Sequence, residues 1–377
     1  MKRLVGIALV FAWIASLQAS PPASAMGAPS PGAARMQSVL VHAVVSQTAI
    51  YDSSIIWTQT VPPRHGNAAP ESLYWSGVQH IVRHHVFTFP SGTTVLQLEI
   101  SRDWIVAELS GSAGSSIWAF NRRSHHAHTV TLRAISGGST LQGFVLWQDS
   151  VAYIVDTPAA KGTSVYAAIH VTQLPGGPSQ VALIRRLKCG TLMIASAPSP
   201  LVIGSMPSDC AGGNDVFQLD PSTGQVTFLT QNHSAVDVSS NGSDALWLQY
   251  RRGQGAAGSS PKGRIVLDNL STGRTSVVSH AGSGWPTGCA TRSIYPPEDQ
   301  CAELPGLTDN LAYWIDGLGD PTVRNLATGR NTVIQTPNPP GITGYGQGWG
   351  HSLSWASQVL PTPPYRPRTW IVVATVG

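Results

Sequence analysis

Charge is scarce in this chain: Asp, Glu, Lys and Arg together make up 11% of its 377 residues, against about 25% in ordinary soluble domains. The formal net charge is +4 and falls to +2 once Lys2 and Arg3 are left out. Neither value gives the basic face that nucleic-acid binding requires. Helical periodicity is also missing, because nowhere after the first 25 residues do apolar residues recur at i, i+3, i+4 and i+7 over ten positions. No Gly-x-Ser-x-Gly elbow, His-Glu-x-x-His pair or Gly-x-x-x-x-Gly-Lys loop occurs, which leaves serine-hydrolase, zinc-protease and nucleotide-cradling chemistry without their usual carriers. Four cysteines are present and none stands in a Cys-x-x-Cys spacing, so a zinc ribbon is disfavoured.

What is abundant is glycine (38) and proline (28), the residues of tight turns. At the N-terminus, a basic start (Lys2, Arg3) precedes an apolar run from Leu4 to Leu17 and small residues at Ala23 and Ala25. That order is a secretory signal with an Ala-x-Ala cleavage site, and the run is shorter than the roughly 20 residues of a bilayer crossing. We read 1–25 as a signal peptide, 26–37 as a disordered linker and 38–377 as the folded domain. The expected location is periplasmic or secreted, with no membrane span after cleavage.

Beyond the signal, segments of five to eight residues rich in Val, Ile, Leu, Thr, Trp and Tyr alternate with period two and end at Gly, Pro, Ser or Asn. These read as half-buried antiparallel strands. Three stretches share one pattern: VFQLDPSTGQVTFLT (216–230), RIVLDNLSTGRTSVVS (264–279) and PTVRNLATGRNTVIQT (321–336). In each, a Thr-Gly turn sits between two alternating runs, with glycine where the turn needs positive φ. Around the second of them, SAVDVSS, ALWLQYR, RIVLDNL and TSVVSH form a four-strand meander over 234–280.

A large residue on the second strand marks each such unit: Trp57, Trp104, Tyr153, Ile203, Trp247, Trp314 and Trp355. Their spacing fits the 40 to 50 residues of a propeller blade, apart from one longer interval that contains CATRSIYPPEDQC. The sequence therefore predicts an all-β, seven-bladed β-propeller of four-stranded antiparallel blades. The last unit holds only three strands before Gly377, and SVLVHAVV (38–45) is expected to complete it as the outer strand, which removes an exposed edge. Trp75, Trp118, Trp147 and Trp370 are expected to fill the spaces between blades.

The runs NGSDALWLQY with RIVLDNLSTGRTSVV, LTDNLAYWIDG with VRNLATGRNTVI, and DVFQLDPSTGQVTFL resemble the repeats of TolB-type propellers and their WD-repeat-like relatives. The resemblance covers most of the chain, more loosely over 38–160. It implies a β-propeller, and the family includes both binding scaffolds and propellers attached to peptidases.

An even number of cysteines in an exported chain favours two disulfides. Cys189 precedes a first strand and Cys210 follows a second, which puts both on one face of the ring. The expected pairs are Cys189 with Cys210 and Cys289 with Cys301. The same face collects the long loops 61–71, 252–263 and 282–304 and is the expected binding surface. Glu298, Asp299 and Glu303 gather in the last loop, a set that calcium binding or glycoside cleavage would use but that lacks an opposing carboxylate. Histidines cluster as His80, His84 and His85 and as His125, His126 and His128, both at third-to-fourth strand turns of adjacent blades; whether they bind metal the sequence leaves open. No catalytic residue and no cofactor is assigned. The expected function is a monomeric, non-catalytic binding or interaction module for a protein or cell-surface glycan partner. The alternative is a propeller lyase or glycosidase acting on extracellular carbohydrate.

Overall fold

The computed structural model describes residues 34–61, 69–112, 114–130, 138–160, 164–195, 201–207, 214–249, 263–279, 303–315, 321–334, 347–359 and 368–376. Among these residues there is no helix, and 28 strands form seven four-stranded antiparallel sheets. Successive inner strands pack side by side around the circle and the seventh sheet meets the first, so the sheets are blades of a closed ring.

After β1 (Arg35–Val41), blade 1 comprises β2 (Val44–Tyr51), β3 (Ser54–Thr60), β4 (Ser72–Gly77) and β5 (His84–Thr88). Blade 2 comprises β6 (Thr94–Ile100), β7 (Trp104–Gly111), β8 (Gly114–Asn121) and β9 (Ala127–Val130). Blade 3 comprises β10 (Thr140–Trp147), β11 (Ser150–Pro158), β12 (Val165–Gln173) and β13 (Gln180–Leu187). Blade 4 comprises β14 (Met193–Ala195), β15 (Val202–Pro207), β16 (Asn214–Asp220) and β17 (Gln225–Phe228). Blade 5 comprises β18 (Ala235–Ser240), β19 (Asp244–Gln249), β20 (Arg264–Asn269) and β21 (Arg274–Val277). Blade 6 comprises β22 (Glu303–Leu307), β23 (Leu311–Ile315), β24 (Pro321–Asn325) and β25 (Asn331–Val333). Blade 7 comprises β26 (Gln347–Trp349), β27 (Ser352–Val359) and β28 (Arg368–Thr375).

β1 lies outermost in the seventh sheet, with Leu40 opposite Trp370. The segment 38–45 is thus divided at His42 and Ala43: residues up to Val41 pair with β28, and Val44 opens blade 1. β1 also begins inside the stretch read as linker, because Met36 packs against the apolar cluster that holds Val372 and Ala374.

The repeated pattern turns out to be the third-to-fourth strand hairpin of blades 4, 5 and 6. Gly224, Gly273 and Gly329 have φ of 72°, 64° and 69°. Each amide donates to the carbonyl four residues back, at Asp220, Asn269 and Asn325, over 2.8 Å. The Asp or Asn side chain at that earlier position accepts a further backbone N–H inside the turn, from Ser222, Thr272 and Thr328. One turn chemistry, needing a short acceptor side chain and a residue tolerant of positive φ, therefore writes the same phrase three times.

All seven marker residues lie on second strands and are buried. Trp57, Tyr153, Trp247, Trp314 and Trp355 each occupy the fourth position of their strand, whereas Trp104 opens β7 and Ile203 is second in β15. Trp118 is buried between blades 1 and 2 among Phe87 and Phe89, with ring centroids 4.9 and 5.1 Å away. Trp147 and Trp370 are half-buried. Trp75 departs from the expectation: it is 42% exposed, because its ring lies against His84 of the fourth strand and not among Phe87 and Phe89 as that of Trp118 does.

Polar side chains stitch each blade to the next at the inner strands. Gln97 Nε2 donates to the Phe144 carbonyl at 2.7 Å, and the Leu146 amide donates to Glu99 Oε2 at 2.7 Å. Asn241 Nδ2 donates to the Thr308 carbonyl at 2.9 Å, and Thr308 Oγ1 to the Gly350 carbonyl at 2.6 Å. Asn241 Oδ1 also accepts from the amides of Ser243 and Asp244. Asn241→Ala should therefore lower stability by about 1–2 kcal/mol, since it orphans buried groups on two blades; chemical denaturation checks this.

Candidate functional site

In an antiparallel meander the first-to-second turns all emerge on one rim, together with the third-to-fourth turns. The long loops emerge on the other. Residues 62–68, 250–262 and 280–302, which make up most of those loops, lie outside the described residues, as do Glu298 and Asp299. Glu303 opens the inner strand β22, paired through its backbone with Ile315, so it is not a loop residue. Cys189 is disulfide-bonded; Cys210, Cys289 and Cys301 lie outside the described residues.

The cavity that the described residues define is on the opposite rim. It occupies about 520 Å³ and is lined by the ends of inner strands and by first-to-second turns of blades 1, 2, 3, 5, 6 and 7. Six blades converging on one cavity place it on the ring axis. Gln347, part of its lining, reaches past blade 1 and donates from Nε2 to the Leu98 carbonyl of blade 2 at 2.9 Å.

Tyr51, Trp147 and Trp349 give this mouth aromatic walls, with the rings of Tyr51 and Trp349 4.1 Å apart across the junction of blades 1 and 7. Four acids line it, and three are committed. Glu99 accepts from Leu146 N and Gln97 Nε2; Asp149 accepts from the Trp104 indole at 2.9 Å; Asp103 is ion-paired with Arg123. Asp309 is exposed and has no hydrogen bond or ion pair among the described residues. Arg102 of blade 2 is also exposed and lines the same mouth.

A second cavity of about 740 Å³ opens on this rim between blades 1 and 2, sharing Arg102 and Asp103 with the axial one. Trp75 and His85 come from blade 1; Phe120, Arg122, Arg123 and His125 come from blade 2. Arg122 staples the two blades, donating from Nη1 to the Ser101 carbonyl at 2.7 Å and from Nη2 to Ser54 Oγ at 3.0 Å. Burial lowers its pKa, and the nearby Tyr51, Asp103 and Asp52 oppose that shift.

The histidines are only partly gathered. His85 and His125 face the same cleft, but His84 stacks on Trp75 at 5.0 Å and His128 lies edge-on to Trp104. Among the described residues no group of three metal-ligating side chains occurs. None of those residues forms a helix long and apolar enough to cross a membrane.

The comparisons with known proteins bear on fold. No protein-family model and no curated protein matches the sequence. Among solved structures the chain is similar to an acylaminoacyl peptidase from Pyrococcus horikoshii: TM-score 0.62, 11% identity, 88% of this chain and 51% of that one. It is similar to an oligogalacturonate lyase from Vibrio parahaemolyticus: TM-score 0.57, 10% identity, 91% of this chain and 98% of that one. TolB from Acinetobacter baumannii also matches, at TM-score 0.44 and 12% identity over 85% of this chain and 80% of its own. These likenesses are of fold.

The chain thus spans about half the length of the peptidase it matches. Fold alone does not choose between binding and catalysis. The β-propeller that the resemblance to TolB-type repeats implied is the architecture observed. The axial mouth went unnoticed in the sequence because its residues come as short runs from six separate turns, each ordinary when read alone.

Proposed function

We propose that the protein is an exported, non-catalytic binding module whose ligand, part of a protein or cell-surface glycan partner, enters the axial cavity at the rim of first-to-second turns. One observation supports this reading above others: the mouth combines three aromatic walls with four acids of which three already have partners, two of them across the junction of blades 2 and 3. Acid–base cleavage of a glycoside needs two carboxylates facing each other across the bond, and among the described residues Asp309 is the only uncommitted carboxylate at this mouth. An aromatic rim with few uncommitted charges suits reversible recognition. The signal-like N-terminus supports export, and the closed ring supports a monomer.

The test is thermal unfolding of the protein against protein fragments and polysaccharides, repeated with Trp349→Ala. A ligand at a hundred times its dissociation constant adds about 2.7 kcal/mol, a rise of roughly 3 °C for a domain of this size. Trp349→Ala should abolish that rise while leaving the unliganded midpoint within about 2 °C. Turnover of a polysaccharide instead would transfer the site to the lyase or glycosidase alternative.

A further inference from the structure

We infer that the cleft between blades 1 and 2 is a separate binding site for an acidic saccharide, a chain of sugar rings bearing carboxylates. The inference does not depend on the axial cavity: Trp75 and Arg123 carry it and line this cleft alone, while Arg102 borders both cavities. Trp75 is the first. A tryptophan on a propeller strand ordinarily fills the space between blades, and Trp118 does so in this same interface at 5% exposure. Trp75 is 42% exposed and lines an open cavity instead. His84 stacks on it with ring planes 25° apart, so the indole is held in place from one side. Across the cleft, His125 sits at φ 60° and stacks on Phe120 with planes 10° apart. Aromatic surfaces therefore stand on both walls, where the apolar C–H faces of sugar rings pack.

The second carrier is charge. Arg102, Arg122 and Arg123 line the cleft against the carboxylate of Asp103, with Asp52 also near Arg122. Three arginines against one lining carboxylate leave the cleft positively charged. Arg122 spends its donors on the protein backbone and Ser54. Arg123 uses Nε for Asp103, and its terminal nitrogens have no partner among the described residues; Arg102 is exposed. Arg102 and Arg123 thus present planar, permanently charged donors to a carboxylate. A volume of about 740 Å³ lies in the range of ligand sites, roughly 300–1,000 Å³.

The experiment is calorimetric titration of the full protein with a hexuronic-acid tetrasaccharide, a neutral hexose tetrasaccharide and sodium sulfate. The acidic tetrasaccharide should bind at least about tenfold tighter than the neutral one, a difference of about 1.4 kcal/mol. Its affinity should fall with added salt because the charges are exposed. Trp75→Ala and Arg123→Ala should each cost about tenfold or more. Trp75→Phe and Arg123→Lys, which disturb the fold less, should lose less than the alanine variants, and Trp349→Ala should change nothing. No binding of the acidic tetrasaccharide would overturn the inference. So would complete displacement by sulfate with Trp75→Ala silent, which is an anion hole without sugar recognition. Loss of binding in Trp349→Ala alone would place the sugar in the axial cavity, refuting this site and leaving the proposed function standing.

Discussion

Replacing Trp57 by alanine is expected to remove about 3–5 kcal/mol of stability, whereas the same change at Trp75 is expected to cost about 0.5 kcal/mol or less. Both residues are tryptophans on alternating strands of blade 1, and the sequence treats them alike. Trp57 is fully buried and packs with Ile55, Ala356, Ile371 and Val373 in the cluster joining blade 1 to blade 7. Its ring also stacks with Tyr74 at 5.8 Å, and its indole donates to Gln59 Oε1 at 3.1 Å. Truncation leaves a cavity at the junction that closes the ring and strands a Gln59 side chain that is 3% exposed. Both losses act together. Trp75 gives up only a cross-strand stack with His84 and a surface that water already reaches. Denaturant unfolding of the two variants separates the cases, and equal losses would mean that the cleft beside Trp75 is closed in solution.

Glu108→Gln is expected to stabilise the protein at pH 8 by about 2 kcal/mol and to change little at pH 4. Glu108 lies on β7 with 4% of its surface exposed, and burial pushes its pKa up from 4.5 to about 7. A carboxyl whose folded-state pKa is raised binds its proton more tightly in the folded protein than in the unfolded chain. Its contribution is therefore fully present below pH ~4.5 and is lost as pH rises through about 7. The shift corresponds to somewhat more than 3 kcal/mol if taken whole, and the gain is set at about 2 because the glutamine amide is itself buried at a cost. Asp156 and Asp268 are likewise raised by burial, with Asp244 adding to the shift at Asp268. All three tilt the stability curve the same way, whereas His170, lowered by burial, and Asp220, lowered by hydrogen bonds from Ser222, tilt it the other way as pH falls. A Glu108→Gln variant whose melting curve keeps the wild-type difference between pH 5 and pH 8 would show that another group carries the dependence.

The architecture was legible in the sequence because strand alternation and turn chemistry are local. A Thr-Gly turn at 223–224, 272–273 or 328–329 depends on the backbone of four or five neighbouring residues, and recurrence of that turn exposes the repeat. The buried second-strand aromatics were legible for a related reason, since each blade needs bulk at the same height to fill the wedge beside it.

The sites were not legible, and the reason is geometric. Tyr51, Arg102, Asp149, Asp309 and Trp349 belong to five different turns or strand ends and become neighbours only when the ring closes. Nothing in the local sequence around Trp75 separates a residue that fills the inter-blade space from one that borders it. That depends on what the rest of the blade and its neighbour send into the gap, since Trp75 and Trp118 both stand on third strands. Likewise Glu303 looks like part of an acidic loop but begins a strand, because pairing with Ile315 is decided by a partner twelve residues away. Local hydrogen bonding and side-chain alternation determined the blades by themselves; the packing of blade against blade decided which side chains remain available to a ligand.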